Sequence, residues 1–272
     1  MALGAGPGAW ILTVGNEILI GRIVNTNAAW LARRLTFLGF NVERVVVAPD
    51  EPGEVADEIR RALSRPSVRL VVTTGGLGPT YDDRTLEAVA LAAGVRLALN
   101  QRAYEMVKAK YEQSGLPMTK EREKMAMLPE GAEPLANPVG MAPGSWLVVG
   151  GKAIASLPGV PAEMEAMFEQ EVVPRIKPMA PQLAVVDCGV VVVGVPESSL
   201  APYVERAERS APGVYVKSHP KGHELRGPVL EIRVLASAPT RDEAVSRAGA
   251  ALAVVRDGAE KLGGAVTEEG CS

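Results

Sequence analysis

Short apolar runs alternate with amphipathic helical patterns through the first half of the chain, and this alternation constrains the fold most. The run Trp10–Val14 is followed by apolar residues at helical spacing from Asn25 to Leu38, with a stop at Gly39. The same order recurs over residues 42–63 and 70–93. Strands that alternate with helices pair in parallel and are covered on both faces. The sequence therefore predicts an α/β domain with three layers, α/β/α, around a mostly parallel sheet.

A proline cluster divides the chain into two predicted domains. Pro174, Pro178 and Pro181 follow a predicted helix over 162–172, which indicates a boundary near 174–183. The first domain is expected over 8–176 and the second over 182–264. The second is predicted as a small α+β domain with an open sheet, from strand and helix signals at 185–193, 196–209, 214–217, 229–235 and 240–262.

The composition favours a small ligand over a polymer. Among 272 residues, 47% are hydrophobic, which is enough for a substantial core, and the net charge of −3 gives no basic excess for nucleic acid. No run reaches the roughly 18 apolar residues of a membrane span. We therefore expect a cytoplasmic protein that binds neither membrane nor nucleic acid. Cys188 and Cys271 are expected to form neither a disulfide framework nor a metal cluster.

A glycine-rich turn at residues 75–78 follows one of the predicted buried strands. Gly75, Gly76 and Gly78 leave room for an anion to approach the backbone N–H groups, and a helix predicted to begin near Thr80 would add further donors. Asp82 and Asp83 would lie in the first turn of that helix. Because two carboxylates repel a phosphate unless a cation neutralises them, the sequence predicts a phosphate site with a divalent metal. Its identity stays open among Mg, Mn, Co and Ni.

A structural interpretation of the same turn is also open. The residues from Thr80 to Asp83 fit a capping box, and acidic residues are favourable in any first helical turn. The spacing of the glycines matches neither the G-x-x-x-x-G-K-[S/T] nor the G-x-G-x-x-G nucleotide-binding pattern.

Other polar loops follow neighbouring strands and are expected at the same edge of the sheet, where ligands of open parallel sheets bind. After the first strand come Glu17, Asn25 and Asn27, although either asparagine could instead cap the first long helix. A later strand ends at Pro158 and Gly159, which allow close approach of backbone amides. The turn-rich segment 137–144 is either a binding loop or an ordinary surface connection.

These motifs together resemble the N-terminal region of the CinA family, which belongs to the molybdopterin-binding MoaB/Mog superfamily. With the predicted second domain, the resemblance covers nearly the whole chain. The matching segments occur in the same order, at Thr13–Leu19, Asn25–Asn27, Gly75–Asp83, Asn137–Gly144 and Leu157–Pro161.

The resemblance implies a MoaB/Mog-like domain followed by a KH-like domain. It also implies an ADP-ribose pyrophosphatase-like hydrolase that acts on a nucleotide diphosphate linkage with a divalent metal. Asp82 and Asp83 would hold the metal or act as base, with Glu17 nearby as a further catalytic residue. The implied substrate contacts are Asn16, Asn25, Asn27, Gly75, Gly76, Gly78, Thr80, Lys124, Met141, Pro158 and Gly159. In full-length relatives, a separate C-terminal domain deamidates nicotinamide mononucleotide. The resemblance covers only the region before that domain, so we expect no deamidase activity.

Two other functions are open. The same arrangement could serve a molybdopterin-binding or adenylyl-transfer protein of molybdenum cofactor biosynthesis, or a non-catalytic nucleotide-binding module, so the ligand is a nucleotide or a phosphorylated pterin. The second domain lacks the G-x-x-G spacing of RNA-binding KH modules, because Gly222 and Gly227 are too far apart and Glu224 adds negative charge between them. We expect it to support a homodimer through its Ala-rich last helix or an open sheet edge.

Overall fold

The computed structural model describes residues 6–221 and 227–272, and its backbone forms two compact units. The larger unit consists of Pro7–Leu35 and Val42–Ala180. The smaller unit consists mainly of Pro181–Ser272 together with Thr36–Asn41. The division falls in the region of the proline cluster. The domain ranges 8–176 and 182–264 stay predictions for independently folding parts.

The larger unit is built around a six-stranded sheet in the order β2-β1-β3-β8-β7-β6, with a separate antiparallel pair, β4 and β5. Strands β1, β3 and β8 are buried almost throughout, as expected for the centre of a covered sheet. The strands are β1 (Gly8–Val14), β2 (Asn41–Ala48), β3 (Val68–Thr74), β4 (Leu97–Leu99), β5 (Met127–Pro129), β6 (Glu133–Leu135), β7 (Gly144–Val149) and β8 (Lys152–Leu157).

The centre of this sheet is parallel and one side is antiparallel. β3 pairs in parallel with both β1 and β8, which confirms the predicted α/β arrangement, whereas β7 runs antiparallel to β8 and to β6. The reason for the change of direction is the tight turn between β7 and β8. Gly150 and Gly151 both have positive φ, 56° and 77°, which suits a two-residue hairpin loop.

Helices of the larger unit connect the strands. They are α1 (Asn16–Leu19), α2 (Thr26–Phe37), α3 (Pro52–Ser64), α4 (Thr85–Ala93), α5 (Gln101–Gln113), α6 (Lys120–Lys124), α7 (Pro161–Met167) and α8 (Val173–Ile176). The helix predicted over 162–172 is therefore divided, because a π-helical turn at Phe168–Val172 separates α7 from α8. Pro174 cannot donate a backbone hydrogen bond, which explains the irregular hydrogen bonding there.

The smaller unit is an antiparallel sheet with two long helices. Its sheet order is β10-β11-β9-β12, and all three neighbouring pairs are antiparallel. The predicted second α+β domain is thus present, with a β–α–β–β–α–β order that is typical of the ferredoxin-like, split βαβ arrangement. Its elements are β9 (Ala184–Val193), α9 (Glu197–Glu208), β10 (Val214–Pro220), β11 (Val229–Ala238), α10 (Arg241–Lys261) and β12 (Ala265–Cys271).

The final strand, β12, was not predicted. The sequence analysis placed no strand after the last helix, and the resemblance implied a KH-like order of elements. Most of β12 is exposed and its residues do not alternate, so no period-2 pattern indicated a strand. The strand forms because it pairs with β9 from Ala265 to Cys271, with one irregularity between Glu268 and Gly270.

The expectation that the two cysteines form no disulfide framework is corrected by the structure. Cys188 and Cys271 form a disulfide, because the antiparallel register of β12 on β9 places these two residues directly opposite each other. The sequence did not indicate this pairing, because the two cysteines are 83 residues apart in the chain.

The Ala-rich helix α10 packs on the sheet of its own unit. Ala248 and Ala251 are fully buried there, whereas Ala250 and Ala253 are exposed. The predicted G-x-x-G comparison rests on residues 222–226, which lie outside the described residues. Within the described ranges, no helix has the length and apolar character needed to cross a membrane.

Candidate functional site

A cavity of about 750 Å³ opens at the carboxyl ends of β1, β3 and β8. Its walls come from the segments that follow these strands: Gly15 to Asn27, Gly75 to Asp83 and Pro158 to Glu163, together with the loop at Gly140–Ala142. A cavity of this size accommodates a small-molecule ligand. The fold therefore brings together segments that are far apart in sequence, as the position of the polar loops predicted.

The turn after β3 can be made only by glycine at its first two positions. Gly75 and Gly76 have φ values of 104° and 67°, a region that side chains rarely adopt. A Cβ on Gly75 would lie 2.2 Å from the carbonyl oxygen of Val14, and one on Gly76 would lie 2.3 Å from Oγ1 of Thr85. The turn is thus packed directly against β1 and the start of α4, with its outer side facing the cavity.

The helix predicted to begin near Thr80 begins instead at Thr85, with Arg84 as its N-cap residue. Residues 79–82 form bends and a turn because Asp83 closes a local ring: its Oδ2 accepts from the backbone N–H of Thr80 at 2.8 Å and lies 2.6 Å from the Thr80 hydroxyl oxygen. The capping-box interpretation and the first-turn helix argument are therefore both wrong. The aspartates lie in a loop at the cavity wall.

Asp82 is exposed, and its carboxylate accepts a hydrogen bond from Thr80. The hydroxyl of Thr80 donates to it, and together with a backbone N–H and the nearby charge of Lys124 this holds the pKa of Asp82 below its usual range, with slight desolvation opposing. Asp82 is therefore ionised at neutral pH. The Thr80 hydroxyl donates its one proton to either carboxylate at a time, and the Thr80 backbone N–H donates to Asp83, so both acidic groups lie beside Thr80.

Asn25 and Asn27 both line the cavity, and both are engaged by the protein. The Oδ1 atom of Asn25 accepts from the backbone N–H of Ala28 and from the Thr13 hydroxyl, each at 3.1 Å, so Asn25 caps α2. The Nδ2 atom of Asn27 donates to Thr74 Oγ1 at 2.9 Å and to the Gly159 carbonyl at 2.8 Å. Asn27 thereby connects α2 to the ends of β3 and β8.

Glu17 and Asn16 differ in their placement. Glu17 lines the cavity, and its carboxylate lies over Gly15, where a Cβ would come within 2.4 Å of Oε1. Asn16 does not line it; its backbone N–H donates to Asp50 Oδ2 at 2.8 Å. Gly78, Thr80, Met141, Pro158 and Gly159 all line the cavity, as do Gly75 and Gly76.

Lys124 is close to the glycine turn but outside the main cavity. Its ammonium donates to the Thr80 carbonyl, and it lines a smaller adjacent cavity beside Gly76, Gly78 and Asp83. Lys124 therefore contacts the turn that carries the two aspartates from the side of the smaller cavity.

Several lining residues were missed by the sequence analysis. Asp50 follows the end of β2, so the same rule of strand ends could have found it. Tyr111 and Met125 come from α5 and from the end of α6, and Glu163 from α7. No motif indicated them, because only tertiary packing brings these helices to the cavity.

The lining is acidic. Its charged side chains are the carboxylates of Glu17, Asp50, Asp82, Asp83 and Glu163, and among the residues that the structure describes no Lys, Arg or His joins them. These carboxylates would repel an anionic ligand. Across residues 6–221 and 227–272, no three His, Cys, Asp or Glu side chains group as a complete metal site. A cation there would take its remaining ligands from the bound molecule or from water.

The parallel sheet, the glycine turn and the cavity at the strand ends define a small-molecule-binding α/β protein. Residues 10–178 match the family described as "Probable molybdopterin binding domain", and the chain belongs to that family. It is 59% identical over 263 residues to a protein of Aeropyrum pernix, covering 97% of each chain, and 42% identical over 260 residues to a protein of Sulfurisphaera tokodaii, covering 96% and 98%.

A solved structure supports the resemblance to CinA. The protein CinA from Thermoplasma acidophilum, described as having unknown function, shares 44% sequence identity with a TM-score of 0.59 and covers 64% of this chain and 99% of its own. The family match corrects the main functional prediction. An ADP-ribose pyrophosphatase-like hydrolase is wrong, since the matched family is described by molybdopterin binding, which favours the alternative of a protein for molybdenum cofactor biosynthesis.

Proposed function

We propose that the cavity binds a phosphorylated pterin of the molybdopterin type, with the phosphate at the glycine turn. The observation that carries this proposal is the pairing of a turn restricted to glycine, Gly75 to Gly76, with a ligand-sized cavity at the strand ends. The family to which residues 10–178 belong supports a pterin as the rest of the ligand.

A divalent cation fits the donor set at this turn. Asp82 and Asp83 present adjacent carboxylates, and Mg²⁺ is bound in proteins by one or two carboxylates that leave other positions for phosphate oxygens and water. When bound, the cation would offset the repulsion between the ligand phosphate and the acidic lining. Thr80 orients the two carboxylates, and Lys124, held at the Thr80 carbonyl, is proposed to turn toward the phosphate.

We expect the variants Asp82→Asn and Asp83→Asn to lose the metal-dependent part of ligand binding. Each replaces a charged oxygen donor by a neutral amide, so the affinity for a pterin phosphate in the presence of Mg²⁺ should fall about tenfold or more. Isothermal titration calorimetry with neopterin monophosphate, with and without Mg²⁺, measures the change. The same titration with ATP present reports adenylyl transfer through release of pyrophosphate.

Asp57→Asn is the matched control, because Asp57 is an exposed aspartate on α3 that pairs with the surface residue Arg60 and does not line the cavity. It should bind the pterin phosphate as the native protein does. Native affinity in both Asp82→Asn and Asp83→Asn would contradict the proposed cation site. If the native protein bound the pterin phosphate with an affinity independent of Mg²⁺, the proposed cation site would be wrong, whereas the proposed ligand would be supported.

We also propose that the protein forms a homodimer. Of the alanines on α10, Ala250 and Ala253 leave small exposed side chains that a second copy could approach closely. Light scattering of the full chain distinguishes a dimer from a monomer mass.

A further inference from the structure

The loop Asn137–Gly144 is folded on itself by the side chain of Asn137. This side chain is 4% exposed. Its Oδ1 accepts from the backbone N–H groups of Val139 and Gly140 at 3.0 and 2.7 Å, and its Nδ2 donates to the Ala142 carbonyl at 2.9 Å. The loop therefore has a defined conformation.

Two charged residues from different helices hold this loop in place. The ammonium of Lys110, on α5, donates to the carbonyl oxygens of Asn137 and Gly140. The carboxylate of Glu163, on α7, accepts from Asn137 Nδ2 at 2.7 Å. A Cβ at position 140 would lie 2.0 Å from Glu163 Oε2, so the carboxylate of Glu163 packs directly against Gly140. The loop is thus fixed between α5 and α7.

Lys110 is an unusual choice for a purely structural contact. It is partly desolvated, which lowers its pKa, although the charge of Glu163 acts in the opposite direction. Its hydrogen-bond partners are neutral carbonyls, so the desolvation of the ammonium is offset only in part. We therefore attribute the lysine at position 110 to its role in fixing the loop Asn137–Gly144.

The inner side of this loop forms one wall of the cavity. Met141 and Ala142 line the cavity, and Ala142 belongs to the same buried apolar cluster as Leu77, Tyr111 and Met125, which also line it. This apolar wall suits a flat heteroaromatic ring, because ligand cavities typically place apolar side chains against rings and a few polar groups at the charged end. The charged end here is the glycine turn with its aspartates.

We propose that Lys110 is a positioning residue for recognition of the ligand's ring: by holding the Asn137 and Gly140 carbonyls, it keeps Met141 and Ala142 in the apolar wall. This inference rests on the proposed function, since it concerns the ring of the same phosphorylated pterin. Lys110 itself does not line the cavity. Its effect is therefore specific to the ring and leaves the phosphate end unchanged.

The test compares two probes on matched variants. The probes are neopterin monophosphate, which has ring and phosphate, and inorganic pyrophosphate, which has no ring, each titrated with Mg²⁺. Lys110→Met keeps the length of the side chain and removes the ammonium, while Lys110→Arg keeps a cation. Lys108→Met is the control, because Lys108 lies on the same helix, half exposed, and pairs with Glu112.

We expect Lys110→Met to bind neopterin monophosphate about tenfold or more weakly, since hydrogen bonds to a charged group are lost. Pyrophosphate binding should change less than about twofold, as for a distant independent site. Lys110→Arg should restore most of the affinity for the pterin, and Lys108→Met should match the native protein.

Native affinity of Lys110→Met for the pterin would overturn the proposal, and so would an equal loss for both probes, which would indicate general damage to the fold. If the native protein binds neither probe, the proposed function fails, and hydrogen exchange of the amides at 137–144 then decides on Lys110. Faster exchange in Lys110→Met than in Lys108→Met supports the positioning role, and unchanged exchange overturns it.

Discussion

Replacing Gly75 with alanine is expected to destabilise the larger unit by about 2–4 kcal/mol and to abolish ligand binding at the turn. Gly75 has a φ of 104°, and an added Cβ would lie 2.2 Å from the backbone carbonyl oxygen of Val14. Backbone cannot give way as a flexible side chain can, so the turn must move away from β1. Chemical denaturation measures the loss of stability, and calorimetry measures the loss of binding.

The matched control is Gly53→Ala. Gly53 lies in α3, and an added Cβ would meet nothing within 4 Å, so this substitution should stabilise the protein by about 0.5–1 kcal/mol through the better helix propensity of alanine. The two changes are chemically identical and should have opposite signs. Native stability and native binding in Gly75→Ala would show that the described conformation of the turn is wrong.

Removing the disulfide is expected to cost about 2–5 kcal/mol of the stability of the smaller unit, because the bond restricts a long segment of the unfolded chain. Cys271→Ser is the cleaner variant, since Cys271 is exposed, whereas Cys188 is fully buried. In the variant, Cys188 remains as a buried thiol, which behaves as a small apolar group. Denaturant unfolding under oxidising conditions measures the difference from the native protein.

A reducing agent provides the control for this prediction. It should lower the stability of the native protein to that of Cys271→Ser and leave the variant unchanged. Equal denaturation midpoints of the native protein and the variant without reductant would contradict the disulfide and the pairing of β12 with β9.

The sequence predicted the central architecture because the information was local. Buried strands such as β1 and β3 are continuous apolar runs, and the helical spacing from Asn25 to Leu38 predicted α2, which the structure gives as Thr26–Phe37. β12 was missed because its residues are largely exposed and its partner strand is far away in sequence. The disulfide was missed for the same reason, since only the register of β12 brings the two cysteines together.

The candidate site was predictable where residues follow strand ends. The glycine turn, Glu17 and the Pro158–Gly159 segment were found by that rule and line one cavity. Tyr111 and Met125 could not be found, because their position depends on how α5 and α6 pack. The predicted start of α4 was too early. The sequence from Thr80 to Asp83 looks like a helix cap, but in the structure these two residues contact each other in a closed turn before the helix begins.

Function was harder to predict than the site. A glycine turn at the end of a strand can hold the phosphate of a dinucleotide or of a pterin, because both ligands present phosphate oxygens to backbone N–H groups. The motif alone therefore did not distinguish a hydrolase from a molybdopterin-binding protein. The family match separates them.

The most direct test of the central claim is a calorimetric titration of the full chain with neopterin monophosphate in the presence of Mg²⁺, beside the same titration with ADP-ribose. We expect saturable binding of the pterin phosphate, weakened by EDTA and by Asp82→Asn, and no cleavage of ADP-ribose. Absence of pterin phosphate binding, with Mg²⁺-dependent cleavage of ADP-ribose, would contradict it.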